Sequence, residues 1–213
     1  GNGVPDQRSS KTKTIGGDML TRRTMFIGGS AVALAGGAIA FAATRRSNNG
    51  YAHLGRNLDD VTLTSTAGAE VRWGALRGAP RALFFGFTHC PVICPVTIYE
   101  LTAAADRIGE AAADLRIDFI TVDPERDTPA RMSAYFAGFG PKVTGFTGAP
   151  EALQRVTGAY EIVARRVATE SGDYTIDHTA TVFLIGRSGR VDDVIAYGSE
   201  QDVIDARLHA LLS

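Results

Sequence analysis

Phe84–Pro95 reads FFGFTHCPVICP, and it holds both cysteines of the 213-residue chain, Cys90 and Cys94. Upstream, Ala82–Phe87 is a continuous apolar run with aromatics, the pattern of a strand buried on both faces of a sheet. Downstream, Ile98, Leu101, Ala105, Ile108 and Ala112 recur at alternating steps of three and four, which is one apolar helical face. A strand that feeds a helix through two cysteines sets the sulfurs near a helix N-terminus, where unpaired N–H groups and the macrodipole favour negative charge. The thiolate formed there is both a nucleophile and a metal ligand. If residues 90–94 are helical, Cys90 and Cys94 share a face with Cα atoms about 6 Å apart, close enough for a disulfide or for one shared metal ion.

The same alternation continues outward. Val61–Thr64 and Glu70–Trp73 flank a turn at Ala67–Gly68 and predict a short hairpin. Leu115–Val122 reads as a second apolar strand. Asp123–Pro129 is a loop running into a helix, with Thr128 as N-cap, Pro129 at the first helical position and an apolar face of Met132, Tyr135, Phe136 and Phe139. Thr144–Thr147 reads as a short strand, Glu151–Tyr160 as a helix, Glu161–Val167 as an extended segment and Ala168–Asp173 as a loop. Thr179–Ile185 and Val191–Ala196 predict a hairpin around Arg187–Arg190. The last helix begins at Ser199, with Asp202 as a capping-box partner and Ile204, Leu208 and Leu211 as its apolar stripe. Strands alternating with helices, followed by a hairpin and a terminal helix, argue for a three-layer α/β domain.

Charge divides the chain in two. Residues 1–50 hold 7 Lys/Arg and 2 Asp/Glu; residues 51–213 hold 15 and 21, with Lys142 the only lysine. A mildly acidic domain does not suit nucleic acid, whose phosphates call for a basic surface. Residues 1–24 read as a disordered, basic N-terminal region, and Met25–Ala43 is a 19-residue run without a charge. Arg22 and Arg23 precede that run, and Ala38-Ile39-Ala40 offers a small-x-small cleavage site, so 25–43 is expected to be a signal sequence or a transmembrane anchor. Residues 44–56 read as a linker and 57–213 as the folded domain. Either reading of 25–43 exports that domain.

Two thiolates leave a metal site incomplete. Four histidines are candidates: His53, His89, His178 and His209. His209 in the last helix and His53 near the linker read as surface residues, and His89 as packed or solvent-facing. His178 stands just before a strand, at an end of the sheet where a loop can face the cysteines. It reads from its position alone as a satisfied loop histidine or, alternatively, as a candidate third ligand. Thiolates with imidazole suit copper or zinc; zinc calls for a fourth ligand, so a low-coordinate site favours Cu(I).

Three separated stretches, FFGFTHCPVICP, ITVDPERDTP at Ile120–Pro129 and DHTATVFLIGRSGR at Asp177–Arg190, resemble the Sco/SenC family in order and spacing. The resemblance covers Asn57 to the C-terminus. It implies a thioredoxin-like three-layer fold with a central mixed sheet and an N-terminal β-hairpin. It also implies one copper ion, Cu(I) or Cu(II), on Cys90, Cys94 and His178. The implied role is copper delivery to the copper-bearing subunit of cytochrome c oxidase, or to another copper or thiol protein, from an exported and membrane-anchored domain. The implied alternative is thiol–disulfide exchange that keeps the oxidase cysteines reduced, with Cys90 and Cys94 as catalytic residues; the three-residue spacer departs from C-x-x-C. The Asp123–Asp127 stretch matches a family signature and reads as a structural loop near the site. In one departure, Val92 stands where many family members carry an acidic residue.

Overall fold

The structure, a computed structural model, describes residues 50–170 and 172–213. The segments 1–24 and 25–43, and all of 44–56 before Gly50, lie outside the described residues. Among the described residues no helix is long and apolar enough to cross a membrane.

A mixed sheet of seven strands forms the middle layer. In chain order the strands are β1 (Thr62–Ser65), β2 (Glu70–Arg72), β3 (Arg81–Gly86), β4 (Arg116–Thr121), β5 (Val143–Thr147), β8 (Val182–Ile185) and β9 (Val191–Ile195). Between β5 and β8 the chain makes a separate two-stranded sheet, β6 (Ala164–Ala168) with β7 (Tyr174–His178). Across the main sheet the order is β2-β1-β5-β4-β3-β8-β9. Strands β3, β4 and β5 run parallel, and the remaining pairings are antiparallel. Strand β3 lies between β4 and β8 and has no free edge, as its unbroken apolar run requires. Strands β1 and β2 form the expected N-terminal hairpin.

Among the described residues, four α-helices accompany the sheet: α1 (Ile93–Ile108), α2 (Pro129–Phe136), α3 (Pro150–Ala159) and α4 (Gln201–Leu212). The two-residue period of β3 splits its side chains between two cores. Ala82 and Phe84 join Cys94, Ile98 and Leu101 of α1, Met132 and Phe136 of α2, and Ile204 and Leu208 of α4. Leu83 and Phe85 face the other way, onto Leu153 and Val156 of α3, Tyr160, and Leu54 and Leu58. Each buried phenylalanine contributes roughly 2–3 kcal/mol relative to exposure. Leu54 belongs to this second core, and the Gly55 N–H donates to the Ala159 carbonyl at 2.8 Å, so the end of the stretch read as linker packs onto the domain.

Several boundaries differ from the sequence reading. Helix α1 starts at Ile93, which leaves Cys90 ahead of it. Ala112 belongs to a separate 3-10 turn, Gly109–Ala112, because Gly109 at φ 69° ends the α-helix. The polar stretch before His178 is strand β7, and β8 begins at Val182. The last helix begins at Gln201: the Ser199 hydroxyl donates to the Ala196 carbonyl at 2.8 Å instead of capping, and Asp202 accepts from the Val203 N–H at 2.8 Å. Thr128 does cap α2, accepting from the Arg131 N–H at 3.2 Å with Pro129 opening the helix.

Candidate metal centre

Strand β3 ends at Gly86, and the chain turns through Phe87, Thr88 and His89 to Cys90. Gly86 is required by what lies above it: a Cβ there would meet Cys94 Sγ at 2.8 Å and the Phe119 ring at 2.8 Å. The missing side chain is the space the sulfur occupies. Cys94 sits in the first turn of α1 and is fully buried; Cys90 is 8% exposed, and both thiols are free. The N-cap residue of α1 is Val92, which offers no capping side chain. The Cys94 N–H instead donates to Cys90 Sγ at 3.4 Å, so a sulfur takes the place of an N-cap oxygen.

This arrangement separates the two thiols. Cys90 is pushed down to about 4, chiefly because the Cys94 thiol donates to its sulfur, with the Cys94 N–H adding to the effect against the cost of burial. Cys94 is pushed well above the ordinary cysteine range by the same shared proton and by burial. The metal-free pair is therefore a Cys90 thiolate beside a Cys94 thiol.

His178 is the last residue of β7. Its Nδ1 lies 2.9 Å from the Thr179 carbonyl oxygen. A carbonyl only accepts, so Nδ1 carries a proton, and in the neutral ring Nε2 is the nitrogen left with a lone pair. That Nε2 lies 3.7 Å from Cys94 Sγ. The rings of Phe84 and Phe87 meet the imidazole edge-on, with centroids at 6.1 and 5.8 Å. The ring is thus fixed in tautomer by one hydrogen bond and in orientation by two aromatic neighbours.

The three remaining histidines stand apart. His89 is exposed, although it adjoins Cys90. His53 pairs with Glu161 at 3.4 Å on the surface, and His209 is exposed in the last turn of α4. Among the described residues, no group of three or more His, Cys, Asp and Glu side chains is spaced as a closed metal centre. The two sulfurs and the imidazole approach one another pairwise through Cys94.

Residues that the sequence reading did not single out one by one connect these parts. Asp127 is completely buried and accepts from the Thr88 N–H at 3.0 Å, the Thr88 hydroxyl at 2.5 Å and the Thr121 hydroxyl at 2.7 Å. Arg126 stacks over the Tyr174 ring with its guanidinium carbon 3.7 Å from the centroid, and donates to the Tyr174 carbonyl at 3.0 Å. It also pairs with buried Asp123, which accepts from the Tyr174 hydroxyl at 2.8 Å. Tyr135 of α2 has a buried hydroxyl without a partner, and its ionisation is pushed up by burial and by nearby negative charge, including the Cys90 thiolate and Asp127.

The profile of the SCO1/SenC family matches residues 55–213. The chain belongs to that family. The mitochondrial SCO1 homolog 1 of Arabidopsis thaliana is 39% identical over 137 residues, which is 64% of this chain and 40% of that protein. The copper-bound structure of ScoI from Bradyrhizobium japonicum superposes with a TM-score of 0.65 at 37% identity, over 71% of this chain and 96% of that one. The copper-bound ScoI of Arabidopsis thaliana gives 0.67 at 32% identity, over 71% and 94%. The chain spans about half the length of the curated relatives it matches. The fold shared with these SCO1/SenC structures is the thioredoxin-like α/β arrangement expected from the sequence.

Proposed function

We propose that the chain carries copper. One ion, as Cu(I) or Cu(II), is held by the sulfurs of Cys90 and Cys94 and by His178 Nε2, and is passed to another copper- or thiol-bearing protein. The copper-bearing subunit of cytochrome c oxidase is the proposed acceptor. Residues 25–43, as a signal or an anchor, place the domain on the extracytoplasmic face of a membrane. The observation that carries this reading is His178 Nε2 at 3.7 Å from Cys94 Sγ, with Nδ1 already engaged by the Thr179 carbonyl. Two sulfurs and one imidazole are a soft donor set that suits copper. Two similar family structures were solved with copper bound.

Loading removes the Cys94 proton, so copper uptake releases acid. Oxidation of the pair to a disulfide removes both sulfur ligands, which makes loading dependent on a reductant. A titration of the reduced chain with Cu(I) against a chromophoric chelator tests the reading. The expected result is one copper per chain, with affinity lowered by more than about tenfold in His178→Ala. An unloaded parent, or a His178→Ala variant with the parent's affinity and spectrum, overturns it.

A further inference from the structure

We infer that Asp123–Asp127 is the positioning element that aligns the cysteine arm of the centre with the histidine arm, Asp127 acting on the first and Arg126 with Asp123 on the second. The inference rests on the ligand set proposed above and adds residues that touch no ligand atom.

The need for such an element follows from the topology. Cys90 and Cys94 follow β3 of the main sheet, whereas His178 ends β7 of the separate two-stranded sheet. No strand-to-strand ladder joins β7 to β3 directly: the nearest pairing is Phe84 with Val182 of β8, four residues beyond His178, so backbone pairing anchors the chain after His178 and leaves the direction of its side chain to other contacts. One loop grips both. Asp127 commits its carboxylate to Thr88, two residues before Cys90, and to Thr121 at the end of β4. A buried carboxylate costs free energy unless its oxygens are satisfied, and here every bond fixes the path of the chain between β3, β4 and Cys90.

Arg126 works on the other arm. Its guanidinium is sandwiched on Tyr174, bonded to the Tyr174 carbonyl and neutralised by Asp123, which in turn holds the Tyr174 hydroxyl. Tyr174, Ile176 and His178 alternate along β7 and share a face. Ile176 is buried in the core that contains Cys94. Fixing Tyr174 therefore fixes the direction in which His178 leaves the strand. Arg126 and Asp127 are adjacent, so a movement of one arm is felt by the other.

Arg126→Gln and Thr88→Val separate the arms. Each is made in the full chain, alone and with His178→Ala, and titrated with Cu(I). Arg126→Gln is expected to lower affinity about tenfold in the parent and not at all once His178 is gone. Thr88→Val is expected to lower it in both backgrounds, because it acts through the cysteines. In the metal-free protein, the ¹⁵N shifts of the His178 ring report a single Nδ1–H tautomer in the parent and in Thr88→Val, and an averaged ring in Arg126→Gln. Arg126→Lys restores the single tautomer. Equal losses from Arg126→Gln in both backgrounds, or unchanged His178 shifts, overturn the inference. If Arg126→Gln does not fold, Tyr174→Phe removes only the hydroxyl link to Asp123 and is read by the same ring shifts. A parent that binds no copper defeats the copper reading, while the metal-free shifts still decide the positioning claim.

Discussion

Cys94 and His178 face each other from opposite kinds of structure. Cys94 stands over β3, which is paired on both edges and buried on both faces. His178 ends a two-stranded sheet whose outer strand, β6, is exposed along its whole length. The first arm moves only if the core opens. The second is held by one buried isoleucine, two aromatic edges and a loop. A centre built this way keeps its sulfurs fixed and leaves the imidazole as the part that can adjust when an ion arrives or leaves.

The largest effect expected from this difference is on copper. Cys94→Ser should lower Cu(I) affinity by more than about 100-fold, and by more than His178→Ala does, in the same chelator competition. Equal losses would mean that the arms are energetically equivalent. Hydrogen exchange should show the difference without metal: the Phe84 amide in β3 should exchange at least about 100-fold more slowly than the Thr175 amide, which lies in a hydrogen-bonded pair of β7 with β6, because only global unfolding exposes the former. Comparable protection would show that the hairpin is as firmly held as the sheet.

Alkylation sharpens the contrast within the cysteine arm. With its acidity pushed down to about 4, Cys90 is already a thiolate at neutral pH, so its rate with iodoacetamide should stay flat from about pH 6 to about pH 8. An ordinary thiol would gain about tenfold per pH unit over that range. Cys94, pushed up instead, should remain unlabelled, and labelling of Cys94 first would reverse the assignment. The smallest effect is steric. Gly86→Ala should cost about 1–3 kcal/mol and lower the urea midpoint, because the new methyl must share space with Cys94 Sγ. An unchanged midpoint would show that the sulfur can be displaced freely.

The same contrast explains what could be read in the chain beforehand. Ala82–Phe87 announces a central strand because burial on both faces leaves no polar position. The two cysteines announce chemistry because they are the only ones. Strand β7 was missed because Tyr174–His178 is short and polar: Ile176 alone is buried, and Asp177 points outward. The alternation of Tyr174, Ile176 and His178 was the available signal. The start of α1 at Ile93 carries no ordinary cap signal, because the acceptor of the Cys94 N–H is the sulfur of Cys90. Gly86 gave no local signal, and Asp127 was legible only as part of the Asp123–Asp127 stretch of the family resemblance. Their roles depend on Cys94 and Thr88, which approach them only once the sheet and the helices have packed.

The sulfur that serves as the cap of α1 has a consequence for how the protein would be redesigned. A graft that carries only Cys90, Cys94 and His178 onto another thioredoxin-like scaffold would keep the cap only where no side chain at the position of Val92 displaces the sulfur from the Cys94 N–H. Adding an ordinary serine cap at the position of Val92 would satisfy that helix, but it would also compete with Cys90 for the Cys94 N–H. The transferable unit is therefore larger than its ligands. It includes the bare turn at Val92, the empty floor at Gly86 and the loop that spans the two arms.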